Sequence, residues 1–472
     1  MKITAKRWGL AWMAMAAGVA VAAEKAQEVV STAADREATA ITVYNDDLAL
    51  IKEQRRVNLA AGTSRLSLRE VSAQMRPETA LLHAVSGRPV VLIEQNFDFD
   101  LLTPAKLLEK YVGHEVTVIR THPTSGDERF EKATVLAANA GTVLRFADHI
   151  ETGIPGRLSF SSVPPSLRDR PTLSVLLDAH GGSQSLELSY LTGGMSWRAD
   201  YVANLAADGK SLDLNGWVTL TNRSGAGYDD ATLQLVAGTV NRIRPQAVGR
   251  LRDAPVMAMA AKSEARQEAL LDYHLYSFDR PTSIADNQTK QLALLSASAV
   301  PVSREYLLAG AEYYYQAQYG QIGQKLKPAV FLHFENRGGQ LGKPLPAGIV
   351  RVYAKDSKGA AQFVGEDRIE HTAKNETLRL MLGEAFDITA ERKQTSYRKI
   401  GDRVAESSYR IDLRNAKEEA VSVRVQEPLP GDWEMVQETQ KHTKESARVA
   451  SWNVAVPAGG SAVLEYTVRV RW

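Results

Sequence analysis

Short runs in which apolar and polar residues alternate, each closed by Gly, Pro, Asn or Asp, recur along almost the whole chain. A period of two puts every second side chain on one face of an extended strand, so such runs specify strands with one buried and one solvated face. The plainest are Val57 to Leu68, Trp217 to Thr221, Leu233 to Leu235, Thr377 to Leu382, Tyr409 to Leu413 and Val421 to Val425. A last one, Ala462 to Val470, follows the turn Pro457-Ala458-Gly459-Gly460. Helical periodicity is scarce: Pro104 to Tyr111 reads as one short helix, with Thr103 as N-cap and proline at its first position. Many short strands and few helices predict a mainly β chain of tandem Ig-like antiparallel β-sandwiches.

The helix candidate leads into strand patterns at Glu115 to Arg120, Phe130 to Ala137 and Thr142 to Phe146. Residues 101–157 therefore read as a small SH3-like barrel inserted into an N-terminal sandwich made of 38–100 plus 158–192. A middle sandwich is expected over 193–383 and a C-terminal one over 384–472. Within the middle one, residues 245–270 become rich in Ala, Met and charge from Arg250 and read as a mobile or helical excursion from a strand–strand loop.

One pattern recurs. Apolar–polar–apolar–polar–Asn occurs at Val218 to Asn222, Leu332 to Asn336 and Ile411 to Asn415, each followed by a polar turn and another alternating run. Asn closes turns through its side chain and tolerates a left-handed backbone, so three copies suggest three equivalent hairpins.

The N-terminus reads as a secretory signal: Lys2, Lys6 and Arg7, an uncharged apolar stretch from Trp8 to Val21, and small residues suited to cleavage at Ala20-Val21-Ala22 or Val21-Ala22-Ala23. That stretch is shorter than the roughly 20 residues that span a bilayer, so no membrane anchor is expected after cleavage. The chain has no cysteine, which excludes a lipid anchor, a disulfide framework, a thiolate nucleophile and cysteine-based metal sites. Loss of residues 1–23 turns the net charge from +2 to −1, too little for a nucleic-acid partner. A periplasmic location follows, with secretion as the alternative.

With Tyr190, Trp197, Tyr201, Asn222-Arg223-Ser224-Gly225 and Tyr228-Asp229-Asp230-Ala231-Thr232-Leu233, the chain resembles a bacterial family of envelope proteins, the domain of unknown function 4139. Asp286 to Lys290, Gly383 to Ile388 and Tyr466 to Trp472 extend the likeness over 190–472, and Val43 to Leu50 resembles the N-terminal part of such proteins. Many members carry Trp where this chain has Tyr228, which keeps a large aromatic in place. The resemblance implies an envelope location and a β-sandwich architecture, and no activity.

Catalytic patterns do not assemble. Gly194-Met195-Ser196-Trp197 lacks the second glycine of a nucleophile elbow, and Ser396-Tyr397-Arg398-Lys399 sits in an alternating strand instead of at a helix start. The nine histidines are scattered, so no metal site and no cofactor are expected. Asp98-Phe99-Asp100 is a weak calcium signal without the glycine and glutamate of a loop motif, and Gly338 to Lys343 has the wrong glycine spacing for a phosphate loop. The adjacent pairs Asp46-Asp47, Asp229-Asp230 and Glu366-Asp367 would point to opposite faces of a strand, which suits turn formation better than acid–base cooperation.

The most unusual composition is Tyr313-Tyr314-Tyr315-Gln316-Ala317-Gln318-Tyr319. As an exposed strand it would carry Tyr313, Tyr315 and Tyr319 on one face, a stripe of rings suited to a sugar chain or a peptide. The expected function is non-catalytic binding, scaffolding or assembly in the cell envelope, with an envelope protein or polymer as partner. The alternatives are a hydrolase of an envelope polymer working through carboxylates such as Asp46 or Asp230, and a secreted adhesin. The export reading predicts a mature N-terminus at Ala23 or Glu24; mass spectrometry of the periplasmic protein finding an intact Met1 would refute it.

Overall fold

A computed structural model describes residues 27–86, 88–139, 141–164, 166–238, 267–270 and 273–471. The signal segment and most of the 245–270 excursion lie outside these residues; Gln267–Leu270 is a strand paired antiparallel with Tyr273–Ser277. Strands dominate, and among the described residues the one α-helix is Pro104–Lys110. Except over 313–319, the expected strands are present, and burial follows the period: in Ser461–Arg471 the residues Leu464, Tyr466, Val468 and Val470 are buried between exposed or half-buried neighbours.

The chain divides into two compact units. One comprises the described residues of Met1–Arg36, Gln54–Val71 and Leu82–Glu187; the other comprises Glu37–Glu53, Ser72–Leu81 and the described residues of Leu188–Trp472. In the first, Gln27–Ser31 runs parallel to Ser64–Leu68, and Val91–Asp98 pairs antiparallel with Thr172–Asp178. This unit also holds a five-stranded antiparallel sheet ordered Arg157–Ser159, Glu115–Thr121, Glu128–Ala137, Val143–Arg145, Ile150–Thr152, so the sheet continues past residue 157. The helix starts where Thr103 accepts the Lys106 N–H at 3.2 Å, and it lays Leu108 and Tyr111 on the core formed by Val116, Val118, Ala133, Val135, Leu144 and Phe146.

The second unit is built from three copies of one five-strand repeat. The first copy is Met195–Leu205, Ser211–Asn222, Tyr228–Ala237, Tyr273–Ser277 and Gln288–Pro301. The second is Ser303–Ala309, Ala329–Glu335, Gly348–Lys355, Ala361–Ile369 and Thr377–Glu384. The third is Ile388–Gly401, Val404–Asn415, Val421–Pro428, Val449–Val456 and Ser461–Arg471. Each copy contains an opening strand, a central strand, a crossover strand, a return strand and a closing strand. In every copy the opening and closing strands flank the central one antiparallel, and the return strand pairs antiparallel with the crossover strand.

The crossover strand leaves its own sheet and adds in parallel to the opening strand of the copy before it. Gly348–Ala354 pairs with Ala199–Leu205, and Val423–Gln426 pairs with Tyr306–Ala309. The first crossover strand does the same to Arg36–Tyr44, pairing Thr232–Val236 with Ala40–Tyr44. Sheets therefore cross the expected boundary at 383/384, and the expected middle sandwich contains two copies. In the third copy, Val423, Val425, Trp452 and Val456 of the crossover and return strands share one core with Ile388, Ile411, Leu413, Leu464 and Val468 of the other three. Two sheets facing across one apolar core form a sandwich, each such side chain contributing about 1.5–3 kcal/mol.

The three asparagines of the sequence repeat close equivalent positions, and all three are fully buried or nearly so. Asn222 donates from Nδ2 to the Ala226 and Ala285 carbonyls at 2.8 and 3.0 Å, and its Oδ1 accepts the Ser224 N–H at 3.0 Å. Asn336 donates to Lys343 and Ala373 at 2.6 and 2.9 Å and accepts from Gly342 at 3.0 Å. Asn415 donates to Glu419 and Pro457 at 2.8 and 2.9 Å and accepts from Lys417 at 3.0 Å. In each copy the first carbonyl precedes the crossover strand and the second precedes the closing strand. The asparagine thus ties two loops together with donors and an acceptor on one side chain. None of the three has a positive φ, so left-handed tolerance is not what selects it.

Asn415→Leu should strand two carbonyls and an N–H in a dry site and cost about 3 kcal/mol or more. Denaturant unfolding measures it, with the exposed Asn453→Ala expected to change stability by about 0.5 kcal/mol or less.

Candidate functional site

The tyrosine cluster lies in the connection between the opening and central strands of the second copy. It is not a strand. Glu312–Tyr315 forms a 3-10 turn, whose three residues per turn send Tyr313, Tyr314 and Tyr315 in three directions. Tyr315 is fully buried, Tyr314 is half-buried, and Tyr313 and Tyr319 are 51% and 44% exposed. The expected stripe of Tyr313, Tyr315 and Tyr319 is therefore corrected to an exposed pair, Tyr313 and Tyr319, with ring centroids 5.6 Å apart, standing beside Tyr314.

What overrides the alternating pattern is a buried polar network. The Tyr315 hydroxyl donates to Glu427 at 2.8 Å and lies 2.9 Å from that of Tyr466. Glu427 also accepts from Arg392 at 2.8 Å, and neither side chain of this ion pair is exposed. Arg392 donates on to the Ala309 carbonyl at 3.2 Å. The Tyr314 carbonyl accepts from Tyr409 at 2.6 Å and from Gln394 at 3.2 Å, while Gln394 Oε1 accepts the Tyr319 N–H at 2.7 Å. A strand through 313–319 would lose these partners. Burial pushes the Tyr315 and Tyr466 hydroxyls far above their ordinary range, so both stay protonated. Burial also raises the Glu427 carboxyl, against the pull of Arg392 and the tyrosine hydroxyls. Packing is close throughout: a Cβ at Gly310 would fall 1.8 Å from Glu427 Oε2, so only glycine fits there.

A second constellation lies on the outer face of the sheet that contains the second copy's opening strand. It lines a groove of about 610 Å³ with Ser303, Arg304, Glu305, His333, Arg424 and Glu445 among its walls. Glu305 accepts from Arg424 at 2.7 Å and pairs with His333 at 2.8 Å and Arg379 at 3.2 Å. Arg424 also donates from Nε to Glu445 at 3.0 Å. Burial acts to raise the Glu305 carboxyl, yet the hydrogen bonds from Arg424 and His333 outweigh it and hold the group below its ordinary range. Glu445 is held low in the same way by Ser451, Arg424 and Gln426. Two carboxylates clamped on one guanidinium both stay ionised, whereas paired-carboxylate hydrolysis needs one of them protonated. No local sequence motif marks this cluster, because its members come from separate strands brought side by side by pairing.

The other sequence candidates serve local structure. Asp47 and Asp230 have φ of 46° and 47°; Asp47 Oδ1 accepts the Gly194 N–H at 2.8 Å, and the Asp230 N–H donates to Ser283 at 2.9 Å. Asp46 stands exposed in the same turn as Asp47. Glu366 pairs with Arg351 at 3.2 Å, while Asp367 accepts the Met381 N–H at 2.7 Å. Asp98 faces Arg168 and Ser174, and Asp100 faces Lys106 and Lys110, so the two do not converge. A cavity of about 550 Å³ in the first unit is lined by Tyr111, His114 and Phe160, with its lysines Lys110 and Lys132 already paired to Asp100 and Glu115. Among the described residues no group of three or more His, Asp or Glu side chains is placed to hold a metal ion, and no helix is long and apolar enough to cross a membrane.

Fold and sites together define a tandem β-sheet repeat protein in which Arg392 pairs with Glu427 in the core and Arg424 with Glu305 and Glu445 in the groove. The chain belongs to the family described as Domain of unknown function (DUF4139), which matches residues 186–472 and so spans all three repeats. No curated protein matches the chain.

Arg392→Met alone should cost about 3–5 kcal/mol by leaving Glu427 buried without its partner, whereas the double variant Arg392→Met/Glu427→Leu should recover most of that loss. A double-mutant cycle in denaturant unfolding measures the difference.

Proposed function

We propose that this protein is a non-catalytic binding or scaffolding component of the cell envelope, acting in the periplasm on an extended envelope polymer or protein segment. The observation that carries the reading is the exposed pair Tyr313 and Tyr319 on a turn held from beneath by Tyr314, Tyr315, Gln394 and Glu427. Rings fixed in advance lose little entropy when a ligand packs on them, and each offers an apolar face beside a hydroxyl. Paired Tyr rings suit a sugar ring or the side chains of an extended peptide. The clamped state of Glu305 and Glu445 supports binding over acid–base chemistry.

Tyr313→Ser/Tyr319→Ser should leave the melting temperature nearly unchanged, because both rings are about half exposed. Co-sedimentation with purified envelope polymer, and cross-linked capture from the envelope fraction, should both be lost in the double variant. Capture equal to wild type in both assays would refute the reading.

A further inference from the structure

The repeat makes a rule that the third copy breaks. The opening strands Met195–Leu205 and Ser303–Ala309, and Arg36–Tyr44 ahead of them, each receive a crossover strand in parallel on their outer edge. The opening strand of the third copy, Ile388–Gly401, has no crossover strand among the described residues. Its outer edge pairs instead with Gln321–Leu326, which runs antiparallel and belongs to the connection inside the second copy.

This substitute is a poor match. Gly348–Ala354 makes seven consecutive Cα pairs with its acceptor without a shift. Gln321–Leu326 makes three, and its register slips between each of them. Lys325 is forced to a φ of 54°, a left-handed conformation that a residue with a Cβ adopts at a cost. The crossover strands bury alternate residues, whereas none of the six residues of Gln321–Leu326 is fully buried. Only Ile322 and Leu326 touch the core. A sheet edge closed by so short and irregular a strand is covered against accidental pairing yet held weakly.

We propose that Gln321–Leu326 is a displaceable strap over a docking edge, and that Ile388–Gly401 accepts an extended strand of a partner protein, added in parallel with alternate apolar side chains facing the core. The three in-chain precedents supply the partner's chemistry: Leu233 and Leu235, Val350 and Val352, and Val423 and Val425 are the buried alternate residues of strands docked in this way. Main-chain hydrogen bonds supply affinity in such strand addition and the alternate side chains supply selectivity. This goes beyond the binding role proposed for Tyr313 and Tyr319: the Tyr319 N–H bonds Gln394 of the same strand, but the lock and the peptide probe below read the strand edge and not the exposed rings.

The absence of native cysteine allows a direct test. Gln321 and Lys393 are register partners, so Gln321→Cys/Lys393→Cys locks the strap when oxidised and frees it when reduced. The probe is a labelled peptide of residues 421–428, the third crossover strand, with a control peptide carrying Ser at 421, 423 and 425. The reduced protein should bind the probe and not the control, and oxidation should weaken binding about tenfold or more. Ile322→Ser, which removes one of the strap's two core contacts, should tighten binding without a cysteine being present. Hydrogen exchange should show the strap amides opening far faster than those of Val404–Asn415. Binding that ignores the lock, absence of binding to the Ile322→Ser protein, or strap amides as slow as the central strand would each overturn the proposal.

Discussion

A buried carboxamide, used three times, sets the architecture of the larger unit. Asn222, Asn336 and Asn415 each sit at the end of a central strand, where the chain must turn towards the crossover strand while a second loop arrives to start the closing strand. Both loops would otherwise bring backbone carbonyls into a dry corner without partners. A carboxylate lacks the donors and a hydroxyl has only one, so an amide suits the corner best among the short side chains. The same bond pattern in all three copies shows that the unit repeats in hydrogen-bonding logic as well as in strand order.

Sharing strands between neighbours has an energetic consequence. The third crossover strand buries Val423 and Val425 in a core shared with the other strands of its own copy, while its backbone completes the sheet of the copy before. Removing one copy would therefore open a core and also bare a sheet edge on its neighbour. In repeat arrays whose units touch only face to face, stability is close to a sum of unit and interface terms. Here the interface term includes main-chain hydrogen bonds of the sheet itself, which couples the copies more tightly than side-chain contact alone would.

Much of this was legible in the sequence, and the exceptions have physical causes. Period-two runs located the strands from Val57 to Val470, and the helix at Pro104 carried its own start signal in Thr103. The Asn pattern gave the three copies but not their lateral exchange, since alternation says which residues face inward and nothing about which sheet receives them. The tyrosine stretch misled for a different reason. Its partners Arg392, Gln394, Tyr409, Glu427 and Tyr466 lie about 80 to 150 residues further on, and a local pattern cannot report a polar network closed over such separations. The Glu305 groove was invisible for the same reason, because Arg379, His333, Arg424 and Glu445 meet it only after strands pair.

That groove belongs to a wider scheme on the solvated faces. Arg351 links Asp200 to Glu366 at 3.1 and 3.2 Å across adjacent strands, and Asp200 also takes Arg198 and Thr219. On another face Glu406 holds Arg398 and Arg469 at 2.6 and 2.8 Å, and Arg469 reaches Glu434 at 3.3 Å. Charges opposed across strands stabilise the pairing modestly and penalise a slipped register, which would set like charges against each other. A face neutralised in this way has few charges left for a ligand, because each contact must first displace an internal partner. The two binding sites proposed above lie away from such ladders: the exposed aromatic pair Tyr313 and Tyr319, and a strand edge paired only through a short, slipped register.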